Sequence, residues 1–266
     1  MKYLKKVFIW VILISIILII FVMRQDDVIM ELYDEECHIK IDNKEITILN
    51  NREERLDTYI LKEKIRGYSI GDIDGDRLDE LILLTKGRMN RWGKEIVILK
   101  LGQKIEEIYR EDFSKLKPWK VALGDIDGDG KSEVSIGVYK KTQFHDVMAK
   151  RPFIYSYEGH RLVPKWKGSR LSKPFTDYVF YDIDEDEMDE IISIEVLENK
   201  EKIVNTYKWE GFGFQGFLES KSFIDIRDLK VIDGCVYVQI KEKGDTYIGE
   251  LKIKDNNLII ERVNIR

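Results

Sequence analysis

The sequence predicts an all-β fold: a β-propeller of four full blades plus a partial fifth, preceded by one N-terminal transmembrane helix. Three observations carry this expectation. An acidic phrase recurs three times, beginning at Asp72, Asp125 and Asp182, with steps of 53 and 57 residues. A period near 50 residues marks a propeller or another repeat array, whose units bury their faces against one another. Each copy also lies between short apolar stretches with the alternation or continuity of strands.

In chain order, Val7 to Met23 comes first, an apolar run interrupted only by Ser15. It reaches the lower limit of a membrane-spanning helix. Lys2, Lys5 and Lys6 precede it, which predicts a cytoplasmic amino end and an extracytoplasmic remainder. No small-residue pattern follows Ile19 to Met23, so an uncleaved anchor is expected rather than a removed signal peptide. The expected organisation is a cytoplasmic stub and signal anchor over 1–24, an acidic tether over 25–36 and the propeller over 37–266.

Within the propeller, Ile39 and Ile41 lead through Asp42-Asn43 to Ile46-Thr47-Ile48, a short first unit without the acidic phrase. Three full units follow. Their loops are entered from Tyr68 and Ile70, Val121 and Leu123, and Tyr178 and Phe180, and each exits into an apolar strand. Two more strands complete each unit: Glu95 to Leu101 and Ile105 to Tyr109, Phe153 to Tyr157 and Leu162 to Trp166, Ile203 to Trp209 and Phe214 to Leu218. Four short strands per unit make a propeller blade. The last unit keeps the period, with Asp233 51 residues after Asp182, but its loop has collapsed to Asp233-Gly234.

The acidic phrase points to a metal. Carboxylates at positions one, three, five and nine of a tight loop repel one another unless a hard cation draws them together. Ca²⁺ accepts six to eight oxygens in flexible geometry, so these side chains plus a carbonyl near position seven suit it. An EF-hand is excluded. Its twelfth position needs a glutamate, and here that position holds Leu83, Ile136 and Ser193; the following segments also read as strands.

Asp-Ile-Asp-Gly-Asp-x-x-x-Glu between strands resembles the calcium loops of FG-GAP/VCBS repeats, found in integrin alpha-subunit propellers and many bacterial surface proteins. The resemblance covers roughly residues 65–220. It implies up to three Ca²⁺ ions held by Asp72, Asp74, Asp76 and Glu80; by Asp125, Asp127, Asp129 and Glu133; and by Asp182, Asp184, Asp186 and Glu190. Leu78, Lys131 and Met188 would add carbonyls. The copies differ at loop positions four and six, where the turn calls for glycine. The second copy has Gly128 and Gly130; the first has Gly75 but Arg77; the third has Glu185 and Glu187. The second is therefore expected to be the tightest site.

Composition narrows the partners. Lys and Arg are scattered among acids, with no basic run of the nucleic-acid-binding kind. Setting aside Lys2, Lys5, Lys6 and Arg24, 40 basic side chains against 49 acidic ones leave the domain at −9. No nucleophile elbow, zinc-protease helix or phosphate loop is present. His145-Asp146, in a segment read as a loop, is the one base-orienter candidate. Trp119, Trp166, Trp209, Tyr207, Phe212, Phe214 and Phe217 are expected mainly as wedges between blades, with a recognition rim as the alternative. Cys37 and Cys235 fall in the first and last units, where a disulfide could fasten a ring or two unpaired thiols could lie. The expected function is a membrane-anchored, extracytoplasmic, calcium-binding propeller at the cell surface that recognises a protein or glycan. The competing classes are an envelope glycan-active enzyme and a scaffold for a membrane complex.

Overall fold

The computed structural model describes residues 26–32 and 35–263. It is all-β, with five separate four-stranded antiparallel sheets in chain order, each a simple meander. Sheet 1 comprises β1 (Asp26–Leu32), β2 (Glu35–Asp42), β3 (Glu45–Asn50) and β4 (Arg55–Ile60). Sheet 2 comprises β5 (Lys64–Gly71), β6 (Glu80–Lys86), β7 (Glu95–Lys100) and β8 (Glu106–Asp112). After a 3₁₀ turn at Ser114–Leu116, sheet 3 comprises β9 (Lys120–Gly124), β10 (Glu133–Thr142), β11 (His145–Glu158) and β12 (Arg161–Trp166). Sheet 4 comprises β13 (Phe175–Tyr181), β14 (Glu190–Val196), β15 (Lys202–Trp209) and β16 (Phe214–Glu219). Sheet 5 comprises β17 (Asp225–Ile232), β18 (Cys235–Glu242), β19 (Asp245–Lys254) and β20 (Asn257–Arg262).

Four apolar cores alternate with the five sheets. Side chains on a strand point to opposite faces in turn, and β6 is apolar on both. Leu81 and Leu83 join Val97 and Leu99 against Ile39, Ile41, Ile46 and Ile48 of sheet 1. Ile82 and Leu84 join Ile96 and Ile98 against Val134, Ile136 and Val138 of sheet 3. The same division recurs in β14, where Ile191 packs towards sheet 3 while Ile192 and Ile194 pack towards sheet 5. Strands covered on both faces read as continuous apolar runs, and fully burying each Leu or Ile contributes about 1.5–3 kcal/mol. First strands of successive sheets lie side by side, β5 with β9, β9 with β13 and β13 with β17.

Three expectations are corrected. Five complete four-stranded sheets replace the propeller of four full blades and a partial fifth. The added strand is β1, which pairs with β2 from Asp26↔Ile41 to Leu32↔Glu35 and occupies the segment expected as an acidic tether. Its alternating Val28, Met30 and Leu32 pack into the first core, an apolar face that the surrounding acids disguise. Finally, among the described residues no helix is long and apolar enough to cross a membrane. Val7 to Met23 lies outside the described residues, and nothing among the described residues supports the expected single-pass anchor or the cell-membrane, extracytoplasmic location drawn from it.

Candidate metal centre

Each acidic phrase forms the connection between the first and second strands of its sheet. The glutamate at position nine opens the second strand and pairs in register with the residue just before the loop: Glu80 with Gly71, Glu133 with Gly124, Glu190 with Tyr181. Eight residues must therefore close a hairpin, and the first aspartate organises them. Asp72 accepts N–H bonds from Gly75 (2.7 Å) and Arg77 (2.8 Å), and Asp125 accepts the equivalent pair from Gly128 and Gly130 (both 2.8 Å). Asp182 accepts from Asp186 (3.0 Å) and Glu187 (2.9 Å). These are Asx-type turns, in which a short carboxylate replaces absent backbone acceptors.

The glutamate is fixed from below. One oxygen of Glu80, Glu133 and Glu190 accepts the N–H of Ile73, Ile126 and Ile183, at 3.3, 3.3 and 3.0 Å. Positions one, three and nine thereby converge. In Asp72–Asp74–Glu80, Asp125–Asp127–Glu133 and Asp182–Asp184–Glu190, one carboxylate oxygen per residue lies within 4.8 Å of the others. These three clusters could hold metal ions. Position five stands apart from that triad: Asp76, Asp129 and Asp186 accept the backbone N–H of Leu78, Lys131 and Met188 at 2.9, 2.9 and 3.1 Å.

Each cluster also receives a lysine from its own sheet. The Lys100 ammonium bonds Asp76 and lies 3.9 Å from Asp74. Lys165 reaches Asp127 at 2.6 Å and Glu133 at 2.7 Å. Lys208 pairs with Asp184 at 2.6 Å and with Asp186, and lies 3.6 Å from Glu190. The loops are unequally neutralised as a result. Burial pushes the carboxyls of Glu80 and Glu190 up to about 7. Burial raises Glu133 too, but there the direct Lys165 bond pulls the other way. One oxygen of buried Glu80 and one of Asp184 have no hydrogen-bond partner among the described residues. A buried carboxylate oxygen without a partner is costly, and a cation would supply the missing interaction. The carboxylate pattern does not name these lysines. Their signal is faint: Lys100 and Lys208 follow the ninth-position glutamates by 20 and 18 residues, while Lys165 comes from the fourth strand instead of the third.

Positions four and six are left-handed in all three loops: Gly75 and Arg77 (φ 83° and 67°), Gly128 and Gly130 (69° and 84°), Glu185 and Glu187 (64° and 69°). Neighbouring sheets explain part of the pattern. A Cβ on Gly75 would meet Lys131 Cε at 2.7 Å, and one on Gly128 would meet Met188 Cγ at 3.1 Å. Residue seven of each following loop lies over residue four of the one before. No fourth acidic loop follows the third, so Glu185 fits where glycine is otherwise required. The loops are also bonded in series: the Ser132 N–H donates to the Asp72 carbonyl (2.8 Å) and the Asp189 N–H to the Asp125 carbonyl (2.7 Å). The Asp125 N–H in turn donates to the Asp189 carboxylate at 2.8 Å. The clusters thus sit on a hydrogen-bonded seam between sheets 2, 3 and 4.

The other candidates resolve differently. His145 is no loop residue; β10 and β11 continue into a tight hairpin, and His145 Nδ1 lies 3.1 Å from buried Arg151. Trp119, Trp166, Trp209, Tyr207 and Phe214 pack in the core between sheets 3 and 4, whereas Phe212 is 87% exposed. Cys37 and Cys235 are both free thiols.

The fold and these clusters define an all-β chain of five stacked sheets with three acidic loops able to hold metal ions. No protein-family model matches the chain, and no curated protein matches it.

Proposed function

We propose that the three loops bind Ca²⁺ and that the chain serves as a calcium-stabilised recognition module for a protein or glycan. The recurrence of one three-oxygen cluster at the same register of three successive sheets carries this reading. All donors are hard carboxylate oxygens, which favour Ca²⁺ or Mg²⁺ over softer metals. The loops are hairpin connections that can adjust, and Ca²⁺ tolerates variable geometry where Mg²⁺ demands a near-ideal octahedron. Asp76, Asp129 and Asp186, with the carbonyls of Leu78, Lys131 and Met188, would complete the shell once the lysines withdraw. Ions on the seam between sheets 2, 3 and 4 would brace the stack, a role suited to holding a binding surface rigid.

Thermal melts of the full chain in chelator, millimolar calcium and millimolar magnesium test the assignment. A ligand that binds only the folded state stabilises it by about 2.7 kcal/mol at a hundredfold excess over Kd. Calcium is expected to raise Tm and magnesium to raise it less. An unchanged Tm in calcium would refute the metal reading, and equal shifts would refute its selectivity.

A further inference from the structure

We infer that the end of the stack opposite the acidic loops carries an anion site for a ligand bearing a phosphate-class group. β5 begins at Lys64 and ends at Gly71, where the first acidic loop starts, so the two ends are about 23 Å apart at 3.3 Å per residue. At its beginning lies a cavity of about 710 Å³, lined by five cations, Lys44, Lys64, Arg66, Lys86 and Arg88, against one acid, Glu63. Cavities of about 300–1,000 Å³ are the usual size for small-molecule sites.

The charge arrangement is what calls for a ligand. Lys64 and Lys86 are direct cross-strand partners, and like charges directly opposite one another destabilise a sheet. Among the described residues none of the five cations has a carboxylate within ion-pair distance, although the chain as a whole is acidic, with formal charge −5. Glu63 does not offset them, because Lys94 already holds it at 3.3 Å. Two of the cations are fixed by backbone carbonyls: Arg66 donates to Trp119 (3.1 Å) and Arg91 (2.9 Å), and Lys44 donates to Lys62. These bonds hold positive charge at the rim without neutralising it. Arg66 Nη2 stays unbonded among the described residues, and Trp119 supplies a wall of the same cavity. A compact dianion with several acceptor oxygens matches convergent ammonium and guanidinium donors.

The test is calorimetry on the full chain, dialysed free of metal, with inorganic phosphate and glucose 6-phosphate as probes at 50 and 200 mM NaCl. Saturable binding at 50 mM is expected, weaker at 200 mM as screening grows. Lys64→Glu and Arg88→Glu, both at exposed positions, are expected to weaken it at least tenfold, and Lys243→Glu in the β18–β19 turn to leave it unchanged. All three variants should keep the wild-type calcium response, so failure here is separable from failure of the metal reading. Tighter binding of the ester assigns the site to a phosphorylated small molecule; equal binding assigns it to the free ion. No binding of either probe, or an equal loss in Lys243→Glu, would overturn the inference.

Discussion

Replacing Lys165 by Met separates a tethered cation from a free one. In the second loop the Lys165 ammonium touches both Asp127 and Glu133, and Glu133 is only 3% exposed. Met keeps most of the aliphatic stem, so chiefly charge is removed. Removing one partner of a buried ion pair costs about 3–5 kcal/mol, because the other charge is left uncompensated. Asp127 keeps about a third of its side chain exposed, which places the expected loss near the lower end, about 3 kcal/mol. For a chain of this size, that lowers Tm by about 6–12 °C in chelator. If the loop binds calcium as proposed, the ion should take the place of the ammonium at saturation, and most of the deficit should disappear. Calcium should also bind the variant more tightly, since no lysine has to be displaced; each 1.4 kcal/mol of relieved competition is about tenfold in Kd. Melts and calorimetry on wild type and variant, with and without calcium, give both quantities. An equal Tm loss in chelator and in calcium would refute the reasoning, since it would mean that Lys165 acts by packing alone.

Three further outcomes are expected. Glu187→Gly relieves a left-handed non-glycine residue in the third loop and should stabilise the metal-free protein by about 1 kcal/mol in urea unfolding; an unchanged midpoint would mean the loop is not strained there. Gly124→Ala places a Cβ 2.4 Å from Phe180 Cβ across the sheet 3–sheet 4 contact and should cost about 1–3 kcal/mol by overpacking. Gly67→Ala, with open space around it, is its near-neutral control, and equal losses would contradict the close packing. Because Cys37 and Cys235 are free thiols, two thiols should titrate in denaturant without reductant, and reductant should leave Tm unchanged.

Much of the site is legible in the chain because it is built locally. The first aspartate of each loop bonds residues no more than five positions ahead, and the ninth-position glutamate bonds one seven behind it. Spacing alone therefore brings positions one, three and nine together, three of the four carboxylates expected to converge. The central strands are equally plain, since apolar residues on both faces leave continuous runs such as Leu81 to Leu84. Position five is where local reading falls short, because Asp76 and Asp186 turn to lysines more than 20 residues away. The first strand was obscured by its composition: Asp26, Asp27 and Glu31 suggest a solvated tether, yet Val28, Met30 and Leu32 alternate into a core.

By itself, then, the sequence determined an all-β chain, the positions of three acidic hairpin loops and three of the carboxylates that converge in each. These follow from period-two patterning and from hydrogen bonds that close within ten residues. Only the tertiary structure decided the number of sheets, the lysine in each cluster, the seam from Asp72 through Ser132 and from Asp125 through Asp189, and the tolerance of Glu185 where Gly75 and Gly128 are needed. Each of these depends on which strand pairs with which, or on which loop lies over which. Such contacts join residues tens of positions apart, and they take shape only when apolar faces of neighbouring sheets stack and exclude water.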